Sequence, residues 1–331
     1  MVRFDIVIGF AAVIIICIVV VLFVIRNAGR KSESGKPMKT SGTQQQDKPQ
    51  NKESSKDSKL CMDEKRFRQV EKAIDRALEE PKNLEVYYQP IYSIKENKVI
   101  AAEALLRLFD EEYGEILPEE FVYVAEKNGK IVELGHAALE RVCTFLAKET
   151  AQDCGIKYIE VNLSILECLR EELPMEIEQI LTKHGITPEQ INLEIKEGAL
   201  LQKNPMLAKN MDVLMEKGIR FSLDDYGTGA SALTYIITFP FEIVKIDRDV
   251  LWTAMASEHA MMALCASINM IKDMHMKIVV EGVESKEAAE KLKKMGCDYL
   301  QGYYFAKPLP EQQFMEYISK CEEDTNTKNL I

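Results

Sequence analysis

Histidine is scarce in this chain. It occurs four times, as His136, His184, His259 and His275, and no two stand at a metal-ligand spacing, so these residues are read as structural or exposed. The eight cysteines (Cys17, Cys61, Cys143, Cys154, Cys168, Cys265, Cys297 and Cys321) include no C-x-x-C pair and no compact framework. That excludes a thiolate metal cluster and a dense disulfide scaffold, and it suits a reducing cytosol. No glycine-rich run has P-loop spacing. Positive charge is short over most of the length. The whole chain carries −11, yet residues 1–60 hold ten Lys/Arg against five Asp/Glu, a net of +5, which leaves −16 for residues 61–331. A domain this acidic is unsuited to gripping a polymeric nucleic acid through its phosphates. A small anionic substrate remains compatible if metal ions reverse the local charge.

What is present begins with twenty uncharged residues at 6–25. As a helix they would extend about 30 Å, the thickness of a bilayer's hydrocarbon core. The run exceeds the ~7–15 residues of a signal-peptide core, and Ala28 and Gly29 make a poor cleavage site. Arg26, Arg30, Lys31, Lys36 and Lys39 follow it, whereas only Arg3 and Asp5 precede it. The positive-inside rule then places everything from residue 26 onward in the cytoplasm. The expectation is a single transmembrane helix over 1–25, anchoring the protein in the inner membrane. Residues 26–60, rich in Lys, Ser, Gln and Asn, predict a disordered cytoplasmic tether with a reach of roughly 30–35 Å. Its basic residues read as a solvated linker rather than a lipid-binding patch.

Beyond residue 61 the pattern changes to one large folded domain over 61–321, with a polar tail at 322–331 that looks frayed. Phe67, Val70, Ile74, Ala77 and Leu78 recur at helical spacing and stop before Pro81. Strand-like runs follow near 84–91, 98–106, 157–163, 191–196, 219–224, 242–246, 276–282 and 298–301. Helical patterns occupy 119–128, 131–150, 174–184, 205–217, 257–274 and 285–295. Eight strands over about 250 residues is the size of one β/α barrel. The first two strands are too close for a helical crossover and read as a hairpin. The fold class is therefore α/β, a modified TIM-like (β/α)8 barrel with one antiparallel strand. No internal repeat, second globular domain, cyclase motif or sensory module is evident.

Six of those runs end in polar residues: I-E-V-N at 159–162, I-N-L-E at 191–194, F-S-L-D-D at 221–225, I-V-K-I-D at 243–247, I-V-V-E-G at 278–282 and Y-L-Q-G at 299–302. In a parallel barrel all strand C-termini meet at one rim. Asn162, Glu194, Asp224, Asp225 and Glu281 would therefore converge into a cage of hard oxygen donors suited to Mg²⁺ or Mn²⁺. Singly, each reads as a solvated strand-end residue. Crowded together without cations, the carboxylates would repel one another.

The ordered series Y-Y-Q-P-I (87–91), E-A-L-L-R (103–107), V-N-L-S (161–164), L-E-I-K-E (193–197), D-D-Y-G-T-G (224–229), V-K-I-D-R (244–248), V-V-E-G-V-E (279–284) and L-Q-G-Y-Y-F (300–305) closely resembles the EAL-domain cyclic di-GMP phosphodiesterases over residues 62–320. The resemblance implies a metal-dependent hydrolase that opens cyclic di-GMP to linear pGpG with two divalent cations. It assigns Glu103, Asn162, Glu194 and Asp224 to one metal. Asp224 bridges to a second, where Asp225 binds and Glu281 acts directly or through water. Lys245 is implied beside the attacking water and the phosphate. An aldolase-like Schiff-base role for this lysine would need a depressed pKa, which neighbouring carboxylates oppose. Gln89, Arg107 and Gln301 are implied substrate contacts. Gly227, Thr228 and Gly229 are implied to form a supporting loop that reaches a homodimer interface, with Glu284 anchoring it. The chain departs from the family pattern at Tyr226, at Ala230-Ser231-Ala232, and at Lys196 and Gly198, where the family has Thr and Ser. None of these removes an implied metal ligand. The alternative function is a catalytically silent cyclic di-GMP receptor acting through a protein partner.

Overall fold

The carboxylate of Asp63 accepts a hydrogen bond from the Arg66 amide at 2.7 Å and starts helix α1, Glu64–Glu79. Val70, Ala73, Ile74 and Ala77 form its buried stripe. In the computed structural model the residues described are 62–148, 151, 154–200, 204–229 and 232–325. The apolar run at 6–25, the tether and most of the C-terminal tail lie outside them. Among the described residues no helix is long and apolar enough to cross a membrane.

After α1 come β1 (Leu84–Ser93), β2 (Lys98–Asp110), β3 (Gly114–Ile116), α2 (Pro118–Asn128) and α3 (Ile131–Leu146). The barrel continues through β4 (Tyr158–Asn162), α4 (Ile165–Cys168), α5 (Leu173–His184), β5 (Ile191–Lys196), α6 (Pro205–Glu216) and β6 (Arg220–Tyr226). It closes through α7 (Ala232–Thr238), β7 (Ile243–Ile246), α8 (Arg248–Ala256), α9 (Glu258–Asp273), β8 (Lys277–Val280), α10 (Lys286–Met295), β9 (Tyr299–Gln301), β10 (Leu309–Pro310) and α11 (Glu311–Thr325).

The ring runs β1-β9-β8-β7-β6-β5-β4-β2 and closes through β1–β2. β1 is antiparallel to both of its ring neighbours, with Gln89 opposite Glu103 and Ile91 opposite Gln301. The other ring pairs are parallel. This is the expected TIM-like mixed barrel of eight strands with one antiparallel member.

Several elements differ from the sequence expectation. β3 and β10 extend β2 and β1 outside the ring and are too short for a period-two pattern to show. The A-L-T-Y-I-I-T of α7 is rich in β-branched and aromatic residues, so it carries no helical signature. The C-terminal helix runs four residues past Cys321, and upstream its Phe314 and Ile318 bury against the barrel, with Phe314 in tilted contact with Tyr88. β2 is longer than expected. β4 pairs with it only over Ala101–Ala104, and its remaining half rises past the rim, held by β1 and β3.

Apolar residues close the barrel interior below that rim: Ile91, Ala101, Tyr158, Ile243 and Val279, with Tyr299 beside them. A second core fills the space between strands and outer helices. A third joins α1, α2 and α3 to the far end of β2 through Ile74, Leu108, Phe121 and Leu134. Two forked ion pairs dock α1 in this place, Arg66 onto Glu120 and Arg76 onto Asp110.

Candidate active site

Strand periodicity positions the site. One inward step above the apolar plug lies two residues further along each parallel strand, and there the chain places Glu103, Glu160, Glu194, Asp224, Lys245, Glu281 and Gln301. Gln89 occupies the same level from the antiparallel β1, two residues before Ile91. Lys245 stands at the centre, fully buried. Its Nζ is 2.6 Å from Glu194 Oε1, 2.8 Å from Glu281 Oε1, 3.2 Å from Glu103 Oε2, 3.6 Å from Glu160 Oε2 and 3.8 Å from Asp224 Oδ1. The ammonium thus sits within a cage of five carboxylates rather than in one directional pair.

Glu103 is held at both oxygens by amides. Gln301 donates to Oε2 at 2.6 Å and Asn162 to Oε1 at 3.2 Å, while Gln301 also donates to Gln89 Oε1 at 3.1 Å. Burial pushes the Glu103 carboxyl up, but the Lys245 ammonium and the two amides outweigh it and hold it below the usual carboxylate range. Elsewhere burial prevails. It raises Glu194 well above its ordinary value and carries Asp224 to about 6 and Glu281 to about 8, against the opposing pull of Lys245. Lys245 is itself raised, since the surrounding carboxylates more than offset its desolvation. One ammonium cannot balance five carboxylates. The surplus is of buried carboxyl groups, whose upward shifts favour the neutral form until a cation takes the proton's place.

That surplus, built from hard oxygen donors, fits divalent cations in chemistry. Glu103, Asn162, Glu194 and Asp224 could hold one, with Asp225 and Glu281 beside it. In the arrangement observed the carboxylates gather around Lys245. Among the described residues no three carboxylate, imidazole or thiolate groups stand where one ion could be shared.

Arg107 lies four residues beyond Glu103 on the part of β2 that rises over the rim. Its guanidinium stacks on Tyr87, 5.3 Å from the ring centroid, and donates to the Leu106 carbonyl. Arg107, Glu103, Asn162, Lys196 and Asp224 line one cavity of about 530 Å³ that also reaches α2 and α3. Gln301, assigned by resemblance to substrate, is buried and bonded to Glu103 and Gln89, which makes it a positioning group for the carboxylate in this structure.

Asp225 has a left-handed backbone, φ 58°, fixed by a turn in which the Thr228 amide and hydroxyl both donate to its carbonyl. Glu197 accepts from the Gly227 and Gly229 amides at 3.1 and 3.4 Å, so the loop's anchor here is Glu197. Glu284 is exposed on the connection after β8. Gly282, the residue after Glu281, has φ 67°, and a Cβ there would stand 2.3 Å from Arg248 Cβ. Only glycine lets the Glu281 strand end pass this close to α8.

Two residues at the site were not singled out as site groups from sequence. Glu160 shares the inward face of β4 with Asn162, so period-two reading of I-E-V-N held the signal. Glu197 lay inside a quoted motif, but its partner is thirty residues away. Two of the histidines stand beside carboxylates: His136 with Glu176 and His184 with Glu140.

The fold is a TIM-like α/β barrel of eight mixed strands, with an acidic, amide-braced rim around a buried lysine. The chain belongs to the EAL-domain family, whose model matches residues 71–308. It is 32% identical over 250 residues to the cyclic di-GMP phosphodiesterase NbdA of Pseudomonas aeruginosa, a match covering 76% of this chain and 32% of that protein. It is 30% identical over 236 residues to the oxygen sensor protein DosP of Escherichia coli, covering 71% of this chain and 30% of the relative. The chain thus spans about a third of the length of these curated relatives. Among solved structures, the PaMucR phosphodiesterase in complex with c-di-GMP superposes with a TM-score of 0.69 at 30% identity, over 74% of this chain and 99% of that one. The FimX EAL domain from Pseudomonas aeruginosa bound to c-di-GMP, at 21% identity and a TM-score of 0.68, shares the fold.

Proposed function

We propose that this protein is a metal-dependent phosphodiesterase that adds water across one phosphodiester of cyclic di-GMP and releases linear pGpG. The observation that carries this reading is the surplus of buried carboxylate around Lys245, beneath a cavity large enough for a nucleotide and lined by Arg107. When bound, two divalent cations would supply charge neutralisation of the phosphodiester and acidification of the attacking water. Glu103, Asn162, Glu194 and Asp224 would hold one cation, and Asp224, Asp225 and Glu281 the other. Lys245 is a permanent cation suited to charge developing on the phosphate. Gln301 and Asn162 fix the Glu103 carboxylate. Arg107 offers two parallel donors to a phosphate or a guanine edge, and Gln89 an amide.

The protein would act at the inner membrane, anchored through residues 6–25 with the barrel in the cytoplasm. It would pair as a homodimer near the β6–α7 loop, where Leu233 and Ile237 stand exposed one helical turn apart. Purified protein should linearise cyclic di-GMP with Mg²⁺ or Mn²⁺, stop on chelation, and gain little from Ca²⁺, whose looser coordination positions water poorly. Binding of the dinucleotide with no metal-dependent product would instead identify a silent receptor.

A further inference from the structure

Lys196 is a basic residue at the mouth of the acidic rim that the proposed chemistry leaves unused. It ends β5 two residues beyond Glu194, so both side chains face inward, and its Cα lies in register beside that of Asp224. Its ammonium is 3.2 Å from Asp225 Oδ2. The side chain is 60% exposed, so water screens the pair in part. The charge is nevertheless tethered by the strand and cannot diffuse away. The turn that fixes the Asp225 backbone keeps its carboxylate within reach of the amine. A divalent cation binding at Asp225 must therefore displace the Lys196 contact and then sit beside a like charge.

We propose that Lys196 is an intramolecular competitor for the second divalent cation. The rim then loads one cation tightly through Glu103, Asn162, Glu194 and Asp224, and the other, at Asp225 and Glu281, more weakly. This rests on the two-cation reading of the rim. It makes cation supply a control on the protein, since occupancy of the weaker position would rise and fall with free metal after the tighter one is full.

The test is equilibrium binding of Mn²⁺ to the full chain in detergent, with free Mn²⁺ followed by electron paramagnetic resonance and no substrate present. The native protein should show two binding steps, the second weaker by about ten- to a hundredfold, the scale of a partly screened charge contact. Lys196→Met and the smaller Lys196→Thr should each tighten the second step by about tenfold or more and leave the first in place. Lys196→Arg keeps the charge and should preserve the native separation. Superimposable curves for the native protein, Lys196→Met and Lys196→Thr would overturn the role of Lys196 alone. Absence of any Mn²⁺ binding would overturn the two-cation reading with it.

Discussion

Asp224 and Arg107 line the same cavity but meet different surroundings, and their variants should separate in kinetics. Asp224 is buried beside Lys245, and its carboxylate is proposed to bridge both cations. Asp224→Ala should lower kcat by orders of magnitude, because two-cation charge stabilisation amounts to several kcal/mol. Arg107 stands over the rim on its stacked Tyr87 and touches none of the rim carboxylates. Arg107→Ala should act chiefly on KM. Steady-state kinetics on cyclic di-GMP would check this, and equal effects confined to KM in both variants would remove the bridging assignment. At this scale the sequence was informative about residue types, since E-A-L, V-N-L and D-D name the polar residues that meet at the rim. It was silent about the amide chain from Gln89 through Gln301 to Glu103, whose two links span 212 and 198 positions.

Among the elements, α4 is built on an unusual cap. Ser164 caps its start, and Glu167 completes the box by accepting from the Ser164 amide at 3.0 Å. Glu167 is buried against Gly135, where a Cβ would collide with its carboxyl. Burial lifts its carboxyl to about 8, with the Ser164 hydrogen bond opposing. The folded value lies above the unfolded one, so the folded state favours the neutral acid. The associated stability is complete below the ordinary carboxylate range and is lost as pH rises through about 8. Glu167→Gln keeps an oxygen for the cap and cannot ionise. Its melting temperature should match the native protein near pH 5 and exceed it by a few degrees near pH 9, an advantage of about 1–3 kcal/mol. An offset that is the same at both pH values would contradict this account. The strands of the ring were legible because each is a short apolar run with a polar end. β3, β10 and α7 were not, being too short or carrying the wrong propensity.

For the whole molecule, the described barrel carries its own cores, and every site residue named above lies within the described residues. Deleting residues 1–60 should therefore leave turnover close to that of the full chain while moving the protein from the membrane fraction to the soluble one. A reporter fused after Ile331 should lie in the cytoplasm, and protease added outside intact cells should spare the barrel. Cleavage of the barrel under those conditions would reverse the topology and weaken the case for an intracellular nucleotide substrate.

By itself the sequence determined the barrel class, the antiparallel first strand and the identity of most residues that gather at the rim. These follow from local signals: apolar runs of strand length, a gap too short for a crossover, and polar residues at fixed strand ends. Only the tertiary structure decided the rest. It put Lys245 at the centre of five carboxylates, replaced Glu284 by Glu197 as the loop's anchor, turned Gln301 into a brace for Glu103, and set Lys196 against Asp225. Each of these depends on which strands become neighbours around the ring and on the register between them. No segment of chain carries that information alone, because closure of a barrel is a property of all eight strands together.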